Sequence, residues 1–236
     1  MNKTIRLVKF YVKRYLFEKF AIPKVRYESI SKAILKRYLP LNPVIVDCGA
    51  HDGSDTIALA KLSKQATVHA FEAMPDLYKK LVVNTQQYDN IKCYQLALAD
   101  QTGKMNFYIS EGASDASSSL LEPKEHLNDH PSTFFNSKIV VKAETLDDWA
   151  RTYNITRVDM LWLDMQGFEL NMLKASNEIL KLVSVIHTEV STKETYKNVG
   201  QYTEYRSFLE DKGFEVSIEA IPQGWDMGNV LFVRKK

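Results

Sequence analysis

The residues Val44-Ile45-Val46-Asp47-Cys48-Gly49-Ala50-His51-Asp52-Gly53, followed 19 positions later by Glu72, have the types and spacing to hold a nucleoside-bearing ligand. An apolar run that reaches an acid and then two glycines reads as a strand ending in a tight turn from which a helix starts. Glycine lets backbone approach a ligand closely, a helix start presents unpaired N–H groups, and a carboxylate ending the next strand can accept from both hydroxyls of a ribose. Glu72 stands where that carboxylate is needed. The glycines follow G-x-x-x-G, at Gly49 and Gly53, and not the G-x-G-x-x-G that lays a helix N-terminus on a pyrophosphate. Asp47 would repel a phosphate and attract an ammonium or sulfonium group. The pattern therefore favours S-adenosylmethionine, which has a ribose and a cationic amino-acid end but no phosphate, over a dinucleotide.

In open α/β sheets the ligand lies beyond the carboxyl ends of the strands, so strand-end residues supply the other candidates. These are Ala97 and Leu98 after a third strand, Asp164 after Met160-Leu161-Trp162-Leu163, and His187 and Glu189 near the end of a fifth. Acidic residues are seldom buried without partners, which makes Asp47, Asp164 and Glu189 site candidates. Methyl transfer to an alcohol requires a base, and Asp164, Glu189 and His187 qualify. Alternation places His187 and Glu189 on one side of their strand. His187 also reads as a core histidine, and Glu189 as a partner of Lys193 or of the N-terminal basic residues. The same carboxylates offer oxygen ligands that would suit Mg²⁺, but no motif assigns a metal ligand.

The elements that must position these residues alternate along the chain. Strands are expected at 43–48, 66–71, 91–97, 158–163, 183–189, 214–221 and 229–234, and helices near 53–64, 75–87, 145–153, 167–182 and 201–212. Such alternation gives a mostly parallel sheet covered on both faces. The last two strands are joined by a link too short for a crossover helix, so they must pair antiparallel. The expected fold is a doubly wound seven-stranded α/β sheet with one antiparallel C-terminal hairpin strand, preceded by a helical appendage over 1–40. Met105–Ile109 and Ile139–Lys142 read as extra short strands flanking a polar, Ser-rich loop over 110–137, which contains His126 and His130 and is expected to close over the acceptor.

The 236 residues, 45% hydrophobic and 25% charged, suffice for one globular domain with the appendage. Cys48 and Cys93 lie in apolar runs without C-x-x-C or His/Cys spacing for a metal, and read as free thiols in a reducing compartment. With no apolar run near the ~20 residues of a membrane span and no signal-peptide core, a cytoplasmic protein is expected. Residues 1–40 hold eleven basic and two acidic side chains, leaving twenty against twenty-seven in the remainder. Ile5, Val8, Val12, Leu16 and Phe20 recur at spacings of three and four beside Arg6, Lys9 and Lys13, an amphipathic basic helix. Such a helix, over residues 1–22, suits peripheral attachment to the inner face of an anionic membrane or contact with a glycosyltransferase working there; it equally suits packing on its own domain. The acidic remainder offers no basic groove, so nucleic acid is not an expected partner.

From residue 42 to 234 the chain resembles the FkbM family of S-adenosylmethionine-dependent methyltransferases. Asp47, Gly49, Ala50, Gly53 and Thr56 match its V-I-D-x-G-A-N-x-G-x-x-T segment, and Phe71-Glu72-Ala73-Met74-Pro75 is similar to its F-E-P-x-P. Leu96–Asp100 with Gly103, Ser118-Ser119-Leu120, Thr145–Trp149 and Val158–Glu169 match later segments in order. His51 stands where the family more often has Asn, and Met165-Gln166-Gly167 replaces its usual acidic residue, as in a sub-branch with Leu-Asp-Met-Gln-Gly and Thr-Glu-Val-Ser. The resemblance implies a class I methyltransferase fold and O-methylation of a sugar hydroxyl in a glycan or glycosylated metabolite. Glu72 would take the ribose, Ala73, Ala97 and Leu98 the adenine, and Gly49, Ala50, His51, Gly53 and Thr56 the methionine end, with Asp47 and Asp164 facing its charge. A catalytically idle cofactor-binding scaffold, recruited to a membrane-associated complex, is the alternative. The oligomeric state is not legible.

Overall fold

The computed structural model describes residues 30–124 and 132–235. The basic stretch at 5–20, His126 and His130 lie outside the described residues. In chain order the elements are α1 (Lys32–Leu35), β1 (Val44–Cys48), α2 (Ser54–Ala60), β2 (Thr67–Phe71), α3 (Pro75–Thr85), β3 (Ile91–Tyr94), β4 (Ala97–Leu98), β5 (Gly103–Gly112), β6 (Thr133–Glu144), α4 (Leu146–Thr152), β7 (Met160–Leu163), α5 (Glu169–Ala175), α6 (Ile179–Leu182), β8 (Val185–Ser191), α7 (Tyr202–Asp211), β9 (Phe214–Ala220) and β10 (Met227–Arg234).

Seven strands form one sheet in the order β3-β2-β1-β7-β8-β10-β9. The pairs β1–β2, β2–β3, β1–β7 and β7–β8 are parallel, while β10 runs antiparallel to both β8 and β9. Both faces are covered, which is why β7 reads as an unbroken apolar run and β1 as one interrupted only at Asp47, rather than as alternating strands. One face packs Val46, Leu161, Leu163, Ile186 and Phe232 against Trp149, Leu170 and Leu209. The other packs Ile45, Met160, Trp162 and Leu231 against Leu59 and against Ile30, Ile34 and Leu35. Residues 30–35 are thus built into the domain core, and the boundary drawn at residue 40 cuts through that packing. Strand order reverses between β1 and β7, so the crevice for a ligand opens at their carboxyl ends.

The main sheet differs from expectation where tertiary pairing overrides local pattern. The 91–97 run breaks after Tyr94, because Ala97 and Leu98 leave the main sheet to pair with Ala143 and Glu144 of β6. The 167–182 helix breaks at Ser176, whose hydroxyl donates to the Met172 carbonyl at 2.7 Å, and α6 restarts with the Asp147 carboxylate accepting from the N–H groups of Glu178 and Ile179. The proposed 110–137 loop is shorter than expected. β5 and β6 pair antiparallel from Gly103–Ala143 out to Gly112–Thr133, forming with β4 a second, three-stranded sheet.

Candidate active site

The turn after β1 is held by crossed backbone bonds. The N–H groups of Gly49 and Ala50 both donate to the Phe71 carbonyl, and the Asp164 N–H donates to the Cys48 carbonyl. The ends of β1, β2 and β7 are thereby tied together. Gly49 has φ +90°, and a Cβ there would lie 1.9 Å from the Asp164 carbonyl oxygen, so no other residue fits this crossing. His51 has φ +50°, a left-handed conformation that His tolerates much as Asn does, which accounts for the exchange at this position.

Glu72 is buried at the end of β2 and serves this turn directly. Its Oε2 accepts from the His51 N–H at 2.9 Å and its Oε1 from the Met74 N–H at 2.8 Å. Burial raises its pKa, and those amides oppose the rise. Each carboxylate oxygen has capacity for a further donor.

A cavity of about 670 Å³, counting its open mouth, lies over these strand ends. Among the expected residues, Gly49, His51, Glu72, Ala73, Ala97, Leu98 and Asp164 line it. Phe71, Leu96, Leu98 and Phe107 give it an apolar wall suited to a flat base, and Glu72 and Asp164 give it carboxylates. A ribose acceptor, an apolar slot and anionic groups without a phosphate cradle fit S-adenosylmethionine.

Asp47, Ala50, Gly53 and Thr56 are not among the lining residues. Asp47 is fully buried beneath the turn, where its Oδ2 accepts from the Thr56 hydroxyl at 2.6 Å, and its Oδ1 has no partner among the described residues. Burial pushes its carboxyl up to about 7. The Asp47–Thr56 bond joins strand to helix beneath the turn. Gly53, at φ +89°, starts α2; a Cβ there would lie 2.8 Å from the Leu81 side chain.

His187 also lies outside both cavity linings, as its reading as a core histidine expects. Its ring stacks on Trp162 at 3.7 Å and 3°, with the Lys32 ammonium 4.6 Å from the Trp162 ring centroid on the α1 side of the sheet. Burial lowers its pKa to about 3, so it is a neutral core histidine. Glu189 lines a smaller neighbouring cavity of about 280 Å³ together with Tyr196, Thr195 and Met227. Gln166 lines both cavities. Its Nε2 donates to Asp164 Oδ1 at 2.8 Å and faces Glu189 Oε2 at 3.4 Å.

Sequence reasoning assigned no site role to several wall residues. Asp115, Ala116, Ser118 and Leu120 of the segment after β5 line the cavity, and Asp115 Oδ1 lies 3.2 Å from His51 Nε2. The segment is anchored by the Tyr108–Ser119 bridge and by Ser118 Oγ, which accepts from the Ser110 N–H. The matched Ser118-Ser119-Leu120 was the available signal. Among the described residues no cluster of His, Cys, Asp and Glu could hold a metal ion.

Sheet order, the single reversed strand and a cavity at the β1/β7 switch point define a class I, Rossmann-like methyltransferase. The Methyltransferase FkbM domain matches residues 47–216, so this chain belongs to that family and is an S-adenosylmethionine-dependent methyltransferase. The chain is 32% identical to the 2-O-methyltransferase NoeI of Sinorhizobium fredii over 66% of this chain and 66% of that one, just under two thirds of its length. It is 26% identical to methyltransferase sdnD of Sordaria araneosa over 92% and 93% of the two chains. Its fold is similar to the Methanococcus jannaschii fibrillarin pre-rRNA processing protein, with a TM-score of 0.50 at 15% identity over 84% of this chain and 68% of that one.

Proposed function

We propose that this enzyme methylates a hydroxyl of a sugar, in a glycan or a glycosylated metabolite. The observation that carries the reading is a carboxylate, Asp164, in the wall of the cofactor cavity and bridged through Gln166 to Glu189 in the adjoining one. An alcohol has to give up its proton as it attacks, and a carboxylate at the junction of two cavities is placed to take it. The 2-O-methyltransferase name of one relative supports transfer to oxygen.

When bound, S-adenosylmethionine supplies a methyl group on positively charged sulfur. Glu72 accepts from the ribose hydroxyls, the Phe71, Ala73, Leu96–Leu98 and Phe107 wall encloses the base, and Gly49 and His51 border the amino-acid end, with Asp164 contributing negative charge. Asp47 and Thr56 act from beneath by fixing the turn. Holding donor and acceptor in line, with water excluded, is the main contribution such a site makes.

A panel of nucleotide sugars, oligosaccharides and glycosylated small molecules, each with the enzyme and S-adenosylmethionine, tests the reading by mass spectrometry. The expected result is one added methyl on a sugar oxygen with stoichiometric S-adenosylhomocysteine. Methylation of amines or carboxylates alone would overturn it.

A further inference from the structure

We propose that Gln166 is the positioning residue that divides labour between the two carboxyl groups at the cavity junction, holding Asp164 as the base while Glu189 keeps its proton and donates a hydrogen bond to the acceptor. This rests on the hydroxyl-methylation reading and assigns roles within it.

Gln166 is fixed more firmly than a surface amide. It has φ +52°, a left-handed conformation rare for a residue with a long side chain, and such strain persists only where the surroundings impose it. Its carbonyl accepts from the Ser119 hydroxyl at 2.8 Å, and Tyr196 Oη lies 3.4 Å from its Oε1. Tyr196 also donates to the Ser117 carbonyl at 2.7 Å, so the wall segment after β5 holds Gln166 at its backbone carbonyl and, through Tyr196, at its side chain. Because an ionised carboxylate only accepts, the 2.8 Å approach to Asp164 orients the amide with its NH₂ toward the carboxyl pair.

The two carboxyls differ in setting: Asp164 is open to solvent and accepts from the Gln166 amide at 2.8 Å, whereas Glu189 is half-buried and meets the same amide at 3.4 Å. Around Asp164, desolvation by the surrounding protein and the Asp55 charge raise its pKa, while the Gln166 amide and then the His51 ring oppose the rise. Glu189 faces Asp164, Glu169 and the hydroxyls of Tyr196 and Tyr205; burial first, then Asp164 and Glu169, push it up to about 8 against the smaller opposing effect of the 3.4 Å Gln166 contact. Glu169 is already committed, with Oε1 accepting from the Met165 and Gly167 N–H groups and Oε2 from the Tyr205 hydroxyl. A carboxyl open to solvent and closely bonded to an amide ionises before a half-buried one set among other carboxyls, which makes the first the base and the second the acid. The acceptor proton passes to Asp164, whose lone pair forms the new O–H bond, and the electron pair of the broken O–H bond stays on the acceptor oxygen. Glu189, still protonated, donates to a second acceptor oxygen.

The test is a ¹³C-carboxyl NMR titration of the ligand-free protein, with signals assigned through Asp164→Asn and Glu189→Gln. In the wild type Glu189 should retain its proton to higher pH than Asp164. Gln166→Asn, which tolerates the left-handed backbone but is too short to reach, should raise the Asp164 midpoint by about one pH unit, and Gln166→Glu should raise it further. The acid limb of the pH–rate profile should move by the same amount, whereas a merely structural role would lower the rate and leave the limb in place. Reversed order in the wild type, or an Asp164 midpoint unmoved in both folded variants, overturns the proposal. Since the titration needs no acceptor, it stands apart from failure to methylate a sugar.

Discussion

Glu72 binds the turn and faces the cavity at once, and the two duties can be separated. Replacing it with alanine removes the ribose acceptor and leaves the buried N–H groups of His51 and Met74 without their partner. Glu72→Ala is expected to weaken S-adenosylhomocysteine binding by about 10- to 100-fold, the loss of ~1.5–3 kcal/mol typical of charged hydrogen bonds, and to lower stability by ~1–3 kcal/mol. Calorimetric titration and thermal melting read the two effects, and wild-type affinity would remove the ribose role. Glu72, Gly49 and Asp164 were legible in the sequence because a switch-point site draws on strand ends. Asp47 and His187 were less legible for a related reason: position near a strand end does not say toward which face a side chain turns. Cys48 and Gly49 meet the cavity, while Asp47 meets Thr56 and His187 meets Trp162.

At the scale of elements, hydrophobic period located the buried strands and most helices, since two-sided burial leaves a strong pattern. It failed where pairing partners are remote. Ala97 and Leu98 continue the apolar run of β3, yet their bonds go to β6, a choice no local window records. The cavity wall after β5 is polar and aperiodic, so its contribution emerges only once Ser119 is seen bonded to Gln166. The short α1 falls within the helical appendage expected over 1–40, and it closes one face of the sheet. Leu35 is fully buried there, and Lys32 ties α1 to Asp55 of α2 at 2.6 Å. Leu35→Ala should cost ~2–5 kcal/mol, as large-to-small core substitutions do, measurable as a lowered urea midpoint with an unchanged slope.

The molecule as a whole carries opposed sets of perturbed groups. The carboxyls of Asp47, at about 7, and Glu189, at about 8, keep protons that the unfolded chain has already released. Their contribution to stability is complete at acid pH and is lost as pH rises through those values. His69, lowered by burial to about 4, and His187, at about 3, act in the opposite direction as pH falls below 6.5. The sets offset each other on the acid side, and above 6.5 the carboxyls act alone. Unfolding free energy should therefore fall by on the order of 2 kcal/mol from about pH 6.5 to about pH 8.5, and Glu189→Gln should flatten most of that fall in chemical denaturation series. Among the described residues no helix is long and apolar enough to cross a membrane. The packing of Ile30, Ile34 and Leu35 onto Trp162 and Leu231 sets where the chain can be shortened. A protein begun at residue 41 would bare that apolar face and be prone to self-association. One begun at residue 23 keeps the cover, and is the sound comparator for asking whether the basic residues before it hold the enzyme to anionic vesicles.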